Sequence, residues 1–306
     1  MAYNLTNKLV VAVSSRALFN LETENKIFEE KGLEAYYKYQ LENEDSPLEK
    51  GTGFRLVENL LKINKHFPND ERQVEVIILS KNNASLSLRI SNAVNKYNLE
   101  IVRSGWTSGR DISSYLKAFK VDLFLSANDE DVINAIENGV AAAKILPSHQ
   151  EVHTSLGDQV RIAFDGDAVL FSEESELIYK QHGLEAFMEH EKANVNNPMK
   201  KGPFAKLLLT IASIQKKFPD ETSPIRTALV TARSAPTHER VIQTLNVWGV
   251  RIDEAFFLGG SEKYEILEAF GADIFFDDQD IHLNLSSNVV PSAKVIHKSI
   301  EKFESN

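Results

Sequence analysis

Cysteine is missing from this 306-residue chain. That absence excludes a disulfide framework, a thiolate metal site and a cysteine nucleophile. No block of Lys and Arg interrupts a sequence whose formal net charge is −10, so nucleic-acid binding by phosphate neutralisation is not expected. A small anion held by local donors remains compatible with that charge. No stretch approaches the ~18 apolar residues of a membrane span. The opening Asn4-Leu5-Thr6-Asn7-Lys8 lacks the apolar core of a signal peptide. A cytoplasmic protein with no membrane contact is the expectation. A hydrophobic content of 42% and a charged content of 25% are those of an ordinary globular protein, and the length suffices for two domains.

What is present is the same pattern twice. At an offset of 151 residues, Gly32-Leu33-Glu34-Ala35 matches Gly183-Leu184-Glu185-Ala186, and Lys50-Gly51 matches Lys201-Gly202. Asn43 and Pro47 match Asn194 and Pro198, and Phe67-Pro68 matches Phe218-Pro219. Arg89, Asp122 and Asp129 match Arg240, Asp273 and Asp280, with no gap between them. A shared fold without common descent would not keep one offset through loops, so the sequence reads as a tandem duplication. The expected domains are 1–148 and 149–306, joined by a linker over 146–159. His149 and His153 in that linker are four apart, but no third ligand accompanies them, so exposed linker is favoured over a metal site.

Each copy opens on an apolar run suited to a buried parallel strand: Leu9–Val13 before Ser14, and Val160–Phe164 before Asp165. Phe204, Leu207, Leu208, Ile211, Ile214 and Phe218 recur at three and four residues, the stripe of a core-facing helix. Leu56, Leu60, Ile63 and Phe67 do so in the first copy. A second strand is expected at Val76–Ser80 and Ala228–Thr231, and a later one at Asp122–Ser126 and Asp273–Asp277. A helix is expected after Ala228–Thr231, capped by Ser234 or Thr237 and ending at Gly249. Alternating strands and helices imply right-handed crossovers, hence two Rossmann-like α/β domains with parallel sheets.

Four elements of the second copy fall at the carboxyl ends of expected strands, where open α/β sheets place ligands. Asp165-Gly166-Asp167 offers two carboxylates one residue apart. One can attack phosphorus and form an aspartyl-phosphate; the other can protonate the leaving oxygen and later deprotonate water. Thr231 ends the next strand, and its hydroxyl with the amides of Ala232-Arg233 could hold phosphate oxygens. Arg233 serves equally as a substrate ligand or as a structural cap on the sheet. Lys263 would bring a fixed positive charge. Asp277-Asp278, adjacent acids ending an apolar strand, suit a hard cation that keeps several waters, meaning Mg²⁺, with Asp165 sharing the ion. Phe171, Phe187 and Phe204 are candidates to stack on a base, although Phe at helical spacing is more often core.

This ordered set resembles the haloacid dehalogenase superfamily. Phe164-Asp165-Gly166-Asp167-Ala168-Val169-Leu170-Phe171-Ser172, Val230–Ser234 and Ile274–Gln279, together with Val13–Phe19 of the first copy, are similar to the cytosolic 5′-nucleotidase type I family over nearly the whole chain. The resemblance implies Mg²⁺-dependent hydrolysis of nucleoside 5′-monophosphates. By motif it makes Asp165 nucleophile and metal ligand, and Asp167 general acid/base with a backbone metal contact. Thr231 and Lys263 would grip phosphate, and Asp277 and Asp278 would hold the ion. The insert after the first strand, with Asn194, Lys201 and Gly202, lies where related enzymes carry a small specificity cap. A sugar-phosphate phosphatase of the same superfamily and a nucleotide-binding regulator without turnover are the alternatives.

The first copy serves as a control. At the same offset Asp165 becomes Ser14, Asp167 becomes Arg16, Lys263 becomes Ile112, Asp277 becomes Ser126 and Asp278 becomes Ala127. Only the hydroxyl of Thr231 persists, as Ser80. The second copy is therefore expected to be catalytic and the first degenerate. Arg16 with Ser14, Ser15, Ser80, Asn82 and Asn83 still offers a charge and several donors for part of the substrate or for an effector nucleotide; the bland reading of Arg16 is a salt bridge between the two halves. The preferred base, the effectors and a homo-oligomeric state stay open at this point.

Overall fold

A computed structural model describes residues 4–68, 71–147 and 157–297. His149 and His153 lie outside the described residues, as does most of the expected linker. The chain divides into two compact units, Met1–Val140 and Ala141–Asn306.

The first unit contains β1 (Leu9–Val13), β2 (Phe19–Asn20), β3 (Glu49–Lys50), β4 (Val74–Ser80), β5 (Arg103–Trp106) and β6 (Leu123–Ser126). Every residue of β1 is buried, as a strand covered on both faces requires. The main strands run parallel in the order β5-β4-β1-β6. β2 and β3 form a short antiparallel ribbon.

The second unit contains β7 (Ala141–Ile145), β8 (Val160–Phe164), β9 (Ile225–Thr231), β10 (Glu254–Phe257), β11 (Ile274–Asp277) and β12 (Ser292–Lys294). The order is β10-β9-β8-β11-β12-β7, parallel throughout except that β7 pairs antiparallel with β12. Counted from β8 this is the order 3-2-1-4-5 of a Rossmann-like sheet. The chain direction of the crossovers reverses between β8 and β11, and the crevice at that switch point is where such sheets hold ligands. Leu267 and Phe270 of the helix Tyr264–Phe270 pack with Ala163, Val230 and Phe275 in the core beneath.

The elements of the two units correspond at the offset of 151. The bounds of β1, β4, β5 and β6 become those of β8, β9, β10 and β11 without adjustment. Irregular features correspond too. Gly32 interrupts the helix Glu22–Glu42 with φ 80° and ψ −177°, and Gly183 interrupts Glu174–Ala193 at the same angles. Buried Asp122 accepts from the Val10 amide at 3.1 Å, and Asp273 accepts from the Arg161 amide at 2.8 Å. These matched acids satisfy the backbone of the first strand in each unit. The matched glycines are also structural: a Cβ on Gly202 would lie 2.3 Å from the Phe171 carbonyl oxygen, and one on Gly51 2.8 Å from the Phe19 carbonyl carbon.

The expected helix stripe is buried on Ala205–Gln215 through Leu207, Leu208, Ile211 and Ile214. The helix His238–Trp248 ends at Gly249 in the left-handed conformation (φ 63°). Its start departs from expectation. Thr237 stands at the N-cap, yet its hydroxyl donates to the Ser234 carbonyl at 2.8 Å instead of capping the helix. Among the described residues no helix is long and apolar enough to cross a membrane.

Candidate active site

The apolar run of β8 delivers Asp165 to the carboxyl edge of the sheet, where its amide donates to the Phe276 carbonyl of β11 at 2.8 Å. Residues Gly166–Leu170 then form a wide turn closed by the Phe171 amide on the Gly166 carbonyl at 2.9 Å. Ala168 in this turn is left-handed, with φ 59°, a conformation that costs a non-glycine residue about 1 kcal/mol or more. His297 Nε2 lies 2.6 Å from the Ala168 carbonyl and steadies it. The first unit takes a different path here. Ser14 caps a regular helical turn, Ser15–Leu18, and its Oγ accepts from the Ala17 amide at 3.2 Å.

Lys263, at the start of the helix Tyr264–Phe270, sends its ammonium 2.8 Å from Asp165 Oδ1 and 2.7 Å from Asp277 Oδ2. Asp277 closes β11, and its other oxygen accepts from the Gln279 amide at 2.8 Å. Asp278 follows at once. Asp165, Asp277 and Asp278 are all buried, and each offers a carboxylate oxygen within 4.8 Å of the others. Among the described residues neither oxygen of Asp278 has a hydrogen-bond partner.

Electrostatics mark the cluster as short of positive charge. Burial pushes the Asp165 carboxyl up to about 6 against the pull of Lys263. Burial, then Asp277 and Asp165, raise Asp278 well above the carboxylate range. Burial opposes the charge on Lys263, but Asp165 and Asp277 outweigh it and hold the ammonium above the ordinary lysine range. Among the described residues three buried carboxylates face one ammonium, and one of the three, Asp278, has no hydrogen-bond partner. That all-oxygen donor set fits a small hard cation such as Mg²⁺.

Thr231 ends β9, buried beside the turn, with its Oγ1 accepting from the Arg233 amide at 3.3 Å. A Cβ placed on Gly166 would meet that Oγ1 at 3.5 Å, so hydroxyl and turn are neighbours. Ala232 is exposed at the strand exit. Arg233 turns inward. Its guanidinium binds Asp167 through two bonds of 2.7 Å and Glu191 through one of 2.5 Å, over the ring of Phe187 at 5.1 Å. Of the two readings of Arg233, the geometry therefore gives it protein partners. Glu191, on the helix Glu174–Ala193, escaped the sequence reading, as did Glu176 on the same helix. Glu176 accepts from Gln279 at 3.1 Å, and burial, then Asp167, raise its carboxyl. Phe171 and Phe204 are wholly buried in the core.

In the first unit the corresponding donors face internal partners. Arg16 pairs with Glu22 through two bonds of 2.8 Å. Asn82 donates to Ser15 Oγ at 3.3 Å and accepts from the Tyr36 hydroxyl at 3.2 Å. Ser15 and Ser80 share a hydrogen bond of 3.2 Å.

Comparison with known proteins accords with this geometry. A family model described as 5′-nucleotidase matches residues 1–302. Human cytosolic 5′-nucleotidase 1B is 40% identical over 286 residues, which cover 90% of this chain and 47% of the human protein. The chain thus spans about half the length of the curated relative it matches. Among solved structures, a mutant O-GlcNAc transferase from Thermobaculum terrenum aligns with 90% of this chain and 49% of its own, at 11% identity and a TM-score of 0.22, too low to bear on fold or function. The chain belongs to the 5′-nucleotidase family.

Proposed function

We propose that the chain is a tandem duplication whose second copy, residues 149–306, is a Mg²⁺-dependent 5′-nucleotidase acting through an aspartyl-phosphate on Asp165. Residues 1–148 are then the degenerate copy. The observation that carries the reading is the buried set of Asp165, Lys263, Asp277 and Asp278 at the switch point of the sheet. Family membership and the human relative's name support a nucleoside monophosphate substrate and a cytosolic setting.

In this mechanism Thr231, the Ala232 amide and Lys263 hold the phosphoryl oxygens. The Asp165 carboxylate forms a bond to phosphorus as the bond from phosphorus to the 5′ oxygen breaks. Asp167 passes its proton to that oxygen, and the nucleoside leaves. Water then attacks phosphorus and gives its proton to Asp167, releasing phosphate and restoring Asp165. Asp165, Asp277, Asp278 and the Asp167 backbone carbonyl would hold Mg²⁺, which when bound offsets negative charge on the phosphoryl group. Placing the nucleophile and a fixed charge before substrate arrives is the main source of rate enhancement in such a site. Phosphate release from nucleoside monophosphates and from sugar phosphates, with Mg²⁺ or chelator, tests the reading. Release mainly from sugar phosphates would keep the chemistry and overturn the substrate.

A further inference from the structure

Asp167 does not stand alone; half-buried itself, it ends a line of four alternating charges. Arg240 Nη1 lies 3.0 Å from Glu191 Oε1, Glu191 Oε2 lies 2.5 Å from Arg233, and Arg233 grips both oxygens of Asp167 at 2.7 Å. Arg240, Glu191 and Arg233 are all buried. Arg233 thus divides its guanidinium between two carboxylates, those of Asp167 and Glu191. Ser175 Oγ donates to Glu191 at 2.8 Å and completes its shell.

The first unit shows which parts of this line packing demands. Arg89, the counterpart of Arg240, is also buried and also meets a carboxylate, Glu24, at 2.6 Å. There the acid sits at the position of Ser175, and Gln40 takes the place of Glu191. Gln40 accepts from Arg89 at 2.9 Å and donates to the Tyr36 hydroxyl at 3.0 Å, which leads on to Asn82. A buried arginine with one acid is thus common to both units. An acid moved to position 191 to reach a second arginine occurs only where a carboxylate stands at position 167.

We infer that Glu191 and Arg233 are positioning residues that fix the carboxylate of Asp167 for proton transfer to the leaving group, and that Arg233 is not a phosphate ligand. The inference rests on the nucleotidase reading above. Each Asp167 oxygen spends one lone pair on Arg233 and keeps another for the reacting proton. The bidentate fork removes rotation about the carboxylate, and Glu191 removes it for the fork. The helix Glu174–Ala193, on which Glu191 rides, is thereby linked to the proton donor.

The test compares two leaving groups: a nucleoside 5′-monophosphate, and its analogue with sulfur in place of the bridging 5′ oxygen. A thiolate leaves without a proton, so the analogue has little use for Asp167. The variants are Arg233→Lys and the double exchange Ser175→Glu with Glu191→Gln. The exchange puts the acid and the amide at the two positions where the first unit carries them, and thermal unfolding checks that the second unit still folds. Both variants should lose about 10–100-fold in kcat/KM on the oxygen ester, the usual effect of an outer positioning partner, while keeping the sulfur ester within about threefold. Equal losses on both esters, or no loss on either, would overturn the inference and leave the nucleotidase reading intact. A wild-type protein that hydrolyses no nucleotide would overturn both.

Discussion

Lys263 and Asp165, far apart in sequence, meet across 2.8 Å in a buried site, and the same ammonium reaches Asp277 at 2.7 Å. One cation holds two acids that would otherwise repel, and a third acid, Asp278, waits beside them without a partner among the described residues. The first unit has Ile112, Ser126 and Ala127 at the corresponding positions. The fold therefore does not need these charges, and the second unit carries them against the cost of burying them.

Lys263→Met should weaken folding and activity together. Breaking a buried charge pair by removing one partner costs about 3–5 kcal/mol. Loss of the charge proposed to hold the phosphoryl group should lower kcat by roughly 10²-fold or more. Added Mg²⁺ should raise the melting temperature of the variant more than that of the wild type, because the cation takes over a charge the acids have lost. Thermal unfolding with and without Mg²⁺ checks this, and an equal Mg²⁺ increment in both proteins would refute it.

The stability of the metal-free protein should carry the mark of Asp165 in its pH dependence. The carboxyl is raised to about 6 in the folded chain from an ordinary 3.8. Between those values the folded protein holds a proton that the unfolded chain releases. The contribution of Asp165 is therefore present at low pH and is lost as pH rises through about 6. Asp278 shifts in the same direction. In chelator, Asp165→Asn should gain stability relative to wild type as pH is raised from about 4 to about 7. Melting curves of the two proteins across that range measure the gap, which a constant difference would contradict.

Restoring two acids to the first unit should not awaken it. Ser14→Asp with Arg16→Asp, placed in an Asp165→Asn background, should release phosphate no faster than Asp165→Asn alone. Aspartate caps a helical turn as well as serine does, and freeing exposed Glu22 from Arg16 costs at most about 1 kcal/mol, so the unit should still fold. Phosphate release well above the parent would show that Ile112, Ser126 and Ala127 are less limiting than the comparison of the two units implies.

Much of this was legible in the sequence because the pattern occurs twice. Strand ends followed from apolar runs, and Asp165, Thr231, Lys263, Asp277 and Asp278 sit at strand ends or helix starts that the sheet brings to one edge. The pairing of Arg233 with Asp167 was not legible, since adjacency to Thr231 suggested phosphate and nothing local points an arginine inward. Glu191 was missed for a related reason. Its partners, Arg233 and Arg240, lie on other elements, and no periodicity records a contact across a bent helix. A signal did exist: acid and neutral residues trade places between Glu24 and Gln40 on one side and Ser175 and Glu191 on the other. Ser14 reads as an N-cap once the helical turn after it is seen, and Arg16 turns to Glu22 outside any helical spacing.

Asp165 as the nucleophile of a Mg²⁺-dependent nucleotidase is tested by phosphate release by wild type and Asp165→Asn from ribo- and deoxyribonucleoside 5′-monophosphates beside sugar phosphates, with Mg²⁺ and with chelator. Mg²⁺-dependent release from nucleotides by the wild type is expected, with none above background from Asp165→Asn and a folded variant by thermal unfolding. Turnover by Asp165→Asn near the wild-type rate, or undiminished release in chelator, would contradict that assignment.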